Sequence, residues 1–287
     1  MVYTPKGFFC EPSNNSQIKQ MVVASAFKLW LYDNRREKEL SYIDLFSGPG
    51  LYDDGSFSTP LHILQEICVS ELCAKKFNVV LNDAKNAFMA RLRRAVDGIR
   101  NSKYLHSLTT SCTEIDGNVF EKFPNIWDGN SFAFVDAWGW KSLKQNYVRQ
   151  LLENPKCEMA VFMNFNEMQR FISDERFTKL FIDLFGKSAL RKLRKQCLKI
   201  GSNEELILKT FIDGITSKIA NCHIVPFRFR RPDFKMTSHY VFIIVRDKNR
   251  AERLGGVLRQ FSTCKTELLC YSQKCKLSTC ACSNIAL

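Results

Sequence analysis

The chain alternates short apolar runs with segments whose apolar residues recur three or four positions apart. The runs that predict buried strands are residues 40–45, 77–81, 107–112, 132–135 and 159–165. The segments between them have the spacing of helices that pack one face on a sheet. Strands that alternate with helices predict an α/β protein with a mostly parallel, Rossmann-like sheet.

The second half of the chain departs from this alternation. Residues 166–200 and 204–220 carry helical patterns, and residues 224–231 and 238–245 predict an antiparallel pair of strands that closes the sheet. We therefore divide the chain into an N-terminal arm and helix (1–40), a Rossmann-like core (41–165), a basic helical insertion (166–222), C-terminal strands and a helix (223–260) and a cysteine-rich tail (261–287).

The first predicted strand ends in an acid and a glycine turn, Asp44-Leu45-Phe46-Ser47-Gly48-Pro49-Gly50. A dinucleotide-binding turn needs a third glycine and a helix that starts at once, whereas the next helix signal here is Thr59-Pro60. The lysine and hydroxyl of a phosphate-binding P-loop are also missing. The turn therefore favours a positively charged cofactor without phosphate, S-adenosylmethionine (SAM), over an ordinary strand and turn.

Three further acids follow predicted strands. Asp83 is placed to hold a ribose diol or to cap the helix predicted from residue 84. Asp116 would offer a carboxylate to an adenine amino group, or simply belong to a turn. Asp136 precedes Trp138 and Trp140, which predict either an aromatic platform for a nucleic-acid base or a plug at the end of the core.

The net charge of +13 indicates an anionic partner, most simply nucleic acid, although a basic surface also serves solubility. Arg228, Arg230 and Arg231 alternate with phenylalanines, which predicts one buried and one cationic sheet face. Such a face binds nucleic acid or is an ordinary polar surface. Lys19 is a polar residue of interest in the first predicted helix, either functional or solvated.

The cysteine content indicates a reducing compartment. Twelve cysteines in 287 residues is far below the density of a disulfide scaffold. The longest apolar runs are too short to span a bilayer, and no signal peptide is recognisable, so we expect a cytoplasmic protein. The tail cysteines lack paired C-x2-C spacing, which favours a loosely ordered terminus over a metal site.

Several stretches resemble the three-Cys-motif partner (TcmP) family of SAM-methyltransferase-like bacterial proteins. They are residues 42–50 (YIDLFSGPG) with 58–61 (STPL), 134–139 (FVDAWG), 163–165 (MNF) running to 184–186 (LFG), and 240–248. The resemblance spans about residues 15–260 and omits the tail. It implies a genetically linked partner that carries the three cysteines.

A more distant similarity is to the RlmJ-like adenine-N6 methyltransferases of ribosomal RNA, which share an early helix with a lysine. Their catalytic Asp-Pro-Pro-aromatic motif is replaced here by Asp136-Ala137-Trp138-Gly139, without the prolines that rigidify it. The resemblance implies catalytic roles for Asp136 and Trp138 and substrate contacts for Lys19.

The same resemblance implies which residues hold SAM. Asp44, Phe46, Gly48 and Gly50 would surround its methionine part, with Asp83 on the ribose and Asp116 near the adenine. We therefore expect a SAM-dependent methyltransferase that modifies a nucleic-acid base, with the adenine amino group as one acceptor. The alternative is a non-catalytic protein with the same fold that binds nucleic acid or a protein partner.

Overall fold

The computed structural model describes residues 9–115, 121, 123, 129–137, 145–200, 203–217, 219–231, 236–263, 266–272 and 275–279. Its contacts divide the chain into two units, Met1–Val161 and Phe162–Leu287. No helix in the described ranges is long and apolar enough to cross a membrane.

The first unit is built on a parallel sheet with strand order β3-β2-β1-β4-β5. Its strands are β1 (Leu40–Asp44), β2 (Phe77–Asn82), β3 (Ser107–Ser111), β4 (Asn130–Val135) and β5 (Cys157–Asn164), the last of which extends into the second unit. Its helices are α1 (Asn14–Asp33), α2 (Thr59–Ile67), α3 (Glu71–Ala74), α4 (Asn86–Asp97) and α5 (Gln145–Glu153). The chain reverses its direction of winding at β1, which lies between β2 and β4. The predicted Rossmann-like α/β class is confirmed.

The first helix packs on the centre of this sheet. Ser13 caps α1 by accepting a hydrogen bond from the Ser16 amide at 3.2 Å. Further along the helix, the fully buried ring of Phe27 lies 5.9 Å from Tyr42 on β1 and 5.5 Å from Phe132 on β4, measured between ring centroids. These edge-on aromatic contacts fix α1 across the strands that carry the candidate site.

The second unit contains helices followed by an antiparallel set of strands in the order β7-β6-β8-β9. The strands are β6 (His223–Arg230), β7 (Thr237–Val245), β8 (Thr266–Ser272) and β9 (Cys275–Thr279). The helices are α6 (Phe165–Phe171), α7 (Thr178–Phe185), α8 (Lys187–Ile200), α9 (Glu204–Thr216) and α10 (Lys248–Leu258). The predicted antiparallel C-terminal pair is confirmed as β6 and β7.

The single helical segment expected over residues 166–200 is divided into α6, a 3-10 turn, α7 and α8. Asp174 caps the 3-10 turn by accepting a hydrogen bond from the Arg176 amide at 3.0 Å. Gly186 ends α7 with a φ of 85°, a left-handed conformation that glycine adopts readily. These two local signals separate the helices.

The tail also differs from the expectation of a loosely ordered terminus, because β8 and β9 lie within it. Leu268 of β8 is buried and pairs with the fully buried Phe227 of β6. Apolar cross-strand contact of this kind stabilises a sheet, and it gives this part of the tail a place beside β6. Residues 280–287 lie outside the described part of the chain.

Candidate functional site

Three of the predicted acids lie at one edge of the parallel sheet. Asp44 is the last residue of β1 and pairs with Leu81 of β2 and Phe134 of β4. Asp83 and Asp136 each follow by two residues the partner of Asp44 on their own strand. Because the strands are parallel, all three acids lie at the carboxyl edge where β1, β2 and β4 end.

The glycine turn after β1 is tied to the end of β2 through Asp83. Gly48 has a φ of 63°, and its amide donates to Asp83 Oδ2 at 3.0 Å. The other oxygen, Oδ1, accepts from the Lys85 amide at 2.9 Å. Burial raises the pKa of Asp83, while these two backbone hydrogen bonds oppose that rise. Asp83 therefore holds the turn rather than capping α4, which begins only at Asn86.

Packing, rather than a ligand, fixes the identity of Gly50. Its φ is 77°, and a β-carbon added there would lie 2.5 Å from Leu92 Cδ1 and 3.2 Å from Leu61 Cδ1. Leu61 belongs to α2 and Leu92 to α4, so both helices pack against the turn. Only glycine accommodates this backbone conformation and this approach together.

Asp44 is fully buried below the turn. Tyr42 Oη donates to its Oδ2 at 3.2 Å, and the Phe46 amide donates to its Oδ1 at 3.0 Å. Burial raises the pKa of Asp44 from its ordinary value of 3.8 to about 7; the Phe46 hydrogen bond opposes this rise and the charge of Asp136 adds to it. The negative charge of Asp136 therefore favours the protonated form of Asp44.

Lys19 of α1 reaches the same edge. Its Nζ lies 2.5 Å from Asp136 Oδ2, and the side chains of Lys19 and Asp136 are 14% and 23% exposed. These two residues are 117 positions apart in the sequence. The structure therefore brings together Lys19 and Asp136, two of the residues singled out from the sequence, in one partly buried ion pair.

Aromatic rings lie near the glycine turn. The Phe46 ring lies 5.8 Å from that of the buried Tyr147 of α5. The Phe9 ring lies 5.2 Å from Phe88 and 6.0 Å from Tyr52. Sequence reasoning missed Phe9, because its only signal was an aromatic pair in a turn-rich arm.

The arm that carries Phe9 lies along the loop after Gly50. The carbonyl of Phe9 accepts from the Asp53 amide at 2.7 Å, and that of Cys10 accepts from the Asp54 amide at 3.0 Å. A β-carbon added at Gly48 would be 3.8 Å from the Phe9 ring. The arm thus borders the turn that the sequence assigned to a cofactor.

Asn82 is a second residue that sequence reasoning missed. Its buried Nδ2 donates to the carbonyls of Leu45 at 3.0 Å and Thr113 at 2.9 Å, and its Oδ1 accepts from the Thr113 amide at 3.1 Å. One side chain therefore fixes the chain that leaves β1 and the chain that leaves β3. An asparagine just before the predicted Asp83 was the available signal.

Three residues predicted for the site, Asp116, Trp138 and Trp140, lie outside the described residues. Ile115 and Ala137, which adjoin them, are both buried. Among the described residues, no group of three or more His, Cys, Asp or Glu side chains could hold a metal ion.

The structure corrects the prediction of a cationic face on β6 at Arg228. Arg228 is 15% exposed, and its Nη1 lies 3.5 Å from Glu204 Oε1. Tyr240, opposite Arg228 on β7, donates its hydroxyl to the same Glu204 oxygen. Arg228 is thereby part of an internal ion pair, because α9 places Glu204 against this face of the strands.

The remaining arginines of this pattern are half-buried. Arg231 Nη1 contacts Met236 Sδ at 3.7 Å, and Arg230 is also half-buried. The apolar half of the alternation is confirmed, because Phe227 and Phe229 are both buried. The pattern therefore predicted the period of the strand correctly but not the surroundings of its polar side.

Solved structures similar to this chain include methyltransferases. A Legionella pneumophila protein of the family named DUF519 is 11% identical, with a TM-score of 0.47, and the match covers 89% of this chain and 97% of that one. The plantazolicin methyltransferase BpumL in complex with SAH is 11% identical, with a TM-score of 0.40 and coverages of 81% and 86%. A precorrin-6y C5,15-methyltransferase from Geobacter metallireducens is 9% identical, with a TM-score of 0.38 and coverages of 85% and 96%. No protein-family model and no curated protein matches the chain.

Proposed function

We propose that this protein is a SAM-dependent methyltransferase whose acceptor is a nucleic-acid base, with the exocyclic amino group of adenine as the leading candidate. The observation that carries the proposal is the ion pair between Lys19 and Asp136. It holds a carboxylate at the carboxyl edge of the sheet, next to the strand that leads into the glycine turn. That edge is where open α/β sheets bind their ligands.

The turn fits a ligand without phosphate. In phosphate-binding loops the backbone amides point at the ligand, whereas the Gly48 amide here donates to Asp83. Helix α2 begins only at Thr59, so its N-terminus does not follow the turn directly. Both observations support SAM over a dinucleotide or a nucleoside triphosphate.

The residues that would hold SAM are those around this turn. Each oxygen of Asp83 uses one hydrogen bond internally, which leaves acceptor capacity for the two ribose hydroxyls. The methionine part of SAM would lie next to Gly48, Gly50 and Phe46. Asp44 would stabilise the turn by accepting a hydrogen bond from the Phe46 amide. Asp116 remains the candidate for the adenine.

SAM, when bound, supplies an electrophilic methyl group. Asp136 would accept a hydrogen bond from the amino group of the base and so aim the nitrogen at that methyl group. Transfer would break the sulfur–methyl bond and release S-adenosylhomocysteine, and the Asp136 carboxylate would accept the proton that the methylated amino group loses. Lys19 orients this carboxylate, and Trp138 would stack on the base.

One observation favours the alternative of a non-catalytic binding protein. The carboxylates of Asp44, Asp83 and Asp136 all have partners within the chain. A site that is satisfied internally can be a remnant of a catalytic fold whose surface binds nucleic acid, or a partner such as a three-Cys-motif protein. The resemblance to the TcmP family rests on the motifs of the sequence.

Calorimetric titration separates the cofactor classes. We expect SAM and its demethylated product to bind, and NAD and ATP not to bind. Asp83→Ala should weaken SAM binding, whereas Asp97→Ala, an exposed acid near the end of α4, should leave it unchanged. Absence of SAM binding to the wild-type protein would exclude the enzyme and favour the binding protein.

A further inference from the structure

Helix α8 carries an unusual concentration of exposed positive charge. Lys187, Arg191, Lys195 and Lys199 follow one another at four-residue steps, and Lys192 lies beside them. All five are exposed. We call Lys187, Arg191, Lys195 and Lys199 the cationic stripe. In a helix with 100° per residue these five cations fall within an arc of about 140°.

The stripe lacks acidic partners of the kind found on or next to three other helices. Lys75 of the chain just after α3, Lys209 of α9 and Lys248 of α10 each pair with an acid four residues away. Helix α8 contains no Asp or Glu, and none of the stripe residues makes an ion pair with another described residue. Like charges four residues apart disfavour a helix, so the sequence sustains an unfavourable arrangement here.

The apolar side of α8 is already occupied within the second unit. Leu190, Leu193 and Cys197 are buried where the helix packs on α7 and α9. Arg194 anchors the helix by donating to the carbonyls of Ile172 at 2.8 Å and Asp174 at 3.0 Å. Leu198 is exposed within the same arc, but a single leucine does not make an apolar face. The helix therefore offers a partner mainly its charges, which disfavours insertion into a membrane surface.

We propose that the cationic stripe of α8 binds the phosphodiester backbone of a nucleic acid. At 1.5 Å per residue the stripe is about 18 Å long, with a charge about every 6 Å. The phosphates of one strand of a duplex are spaced about 3.4 Å apart along the duplex axis, so a stripe parallel to that axis spans about five of them. Lysines and an arginine at regular steps on a fixed helix suit contacts to phosphates, which do not depend on sequence.

This inference rests on the nucleic-acid acceptor proposed above, and it assigns the binding of the polymer to a helix of the second unit, whereas the carboxylate edge belongs to the first unit. The inference also assigns nucleic-acid binding to α8 instead of Arg228, because Arg228 forms an ion pair with Glu204. Binding through the stripe requires neither SAM nor Asp136, so it can be measured without methyl transfer.

The test measures fluorescence anisotropy of a labelled single-stranded RNA of 24 nucleotides and a DNA duplex of 24 base pairs, over a range of KCl concentrations and without SAM. The variant carries K187Q, R191Q, K195Q and K199Q. The matched control carries R36Q, K38Q, K75Q and K103Q, four exposed cations of the first unit. Circular dichroism confirms that both variants are folded.

We expect the α8 variant to lower the slope of log affinity against log salt by about 3, and to lower affinity near 0.15 M salt by on the order of 100-fold. The control should change the slope by less than about 1. Equal losses in the two variants would overturn the inference, as would a wild-type protein that binds phosphatidylserine vesicles or polyglutamate through the stripe but neither nucleic acid. Stripe-dependent binding without methyl transfer would refute the enzyme and leave the inference standing.

Discussion

Replacing Asp44 by asparagine should change the pH dependence of stability in a defined direction. Burial raises the pKa of Asp44 from 3.8 to about 7 in the folded protein. Between these values the unfolded chain releases the proton of Asp44 while the folded chain retains it. The folded state then binds more protons, so the free energy of unfolding falls as pH rises through this window.

The size of the effect follows from the two pKa values. The difference between the two pKa values corresponds to about 4 kcal/mol in the free energy of unfolding, at about 1.36 kcal/mol for each pKa unit. About 2.5 kcal/mol of it is lost between pH 5 and pH 8, and little changes above pH 8 because Asp44 is then ionised in both states. An asparagine can still accept from the Phe46 amide and has no charge to bury.

Urea unfolding of the wild type and Asp44→Asn at several pH values between 5 and 9 measures this difference directly. We expect Asp44→Asn to gain stability relative to the wild type as pH rises to 8, with Asp97→Asn as the control for loss of an exposed acid. Asp136→Asn should lower the pKa of Asp44, because the charge of Asp136 raises it. A difference between the wild type and Asp44→Asn that does not vary with pH would refute the reasoning.

Three further predictions concern the residues around the glycine turn. Gly50→Ala should destabilise the protein by about 1–3 kcal/mol more than Gly55→Ala in thermal unfolding, since both glycines have positive φ but only Gly50 has side chains where a β-carbon would lie; equal losses would contradict this. Asn82→Ala should cost about 2–4 kcal/mol by the same measurement, because it leaves two carbonyls and an amide without their partner, and a loss below about 0.5 kcal/mol would be inconsistent with it. Lys19→Met should abolish most methyl transfer without loss of SAM binding. Lys28→Met, which breaks an exposed ion pair, should leave methyl transfer unchanged. Equal activity in the two variants would show that Lys19 is not part of the site.

The local pattern of the chain was sufficient for the first unit. Strands such as β1 (Leu-Ser-Tyr-Ile-Asp), all five residues of which are buried, leave a mostly apolar run in the sequence, and the acid that ends β1 marks where that run stops. Gly48 and Gly50 adopt the positive φ that a glycine turn suggests. Parallel order then places the acids at one edge by geometry alone.

Contacts between distant parts of the chain could not be predicted in this way. The pairing of Lys19 with Asp136 depends on how α1 crosses the sheet, and a lysine in an amphipathic helix has no sequence signal for its partner. Arg228 was predicted to lie on a cationic sheet face because its strand alternates, yet its surroundings depend on Glu204 from α9. The prediction of one helical segment over residues 166–200 was wrong, although Asp174 and Gly186 are residues of the kind that cap helices and would have indicated the breaks.

Transfer of a tritiated methyl group from SAM to total RNA and to DNA tests the central claim most directly. We predict label in one of these polymers with the wild-type protein, recovered as a methylated base after nuclease digestion. Asp136→Asn should abolish the label while it continues to bind SAM and nucleic acid. Failure of the wild-type protein to label either polymer, or full labelling by Asp136→Asn, would contradict the account.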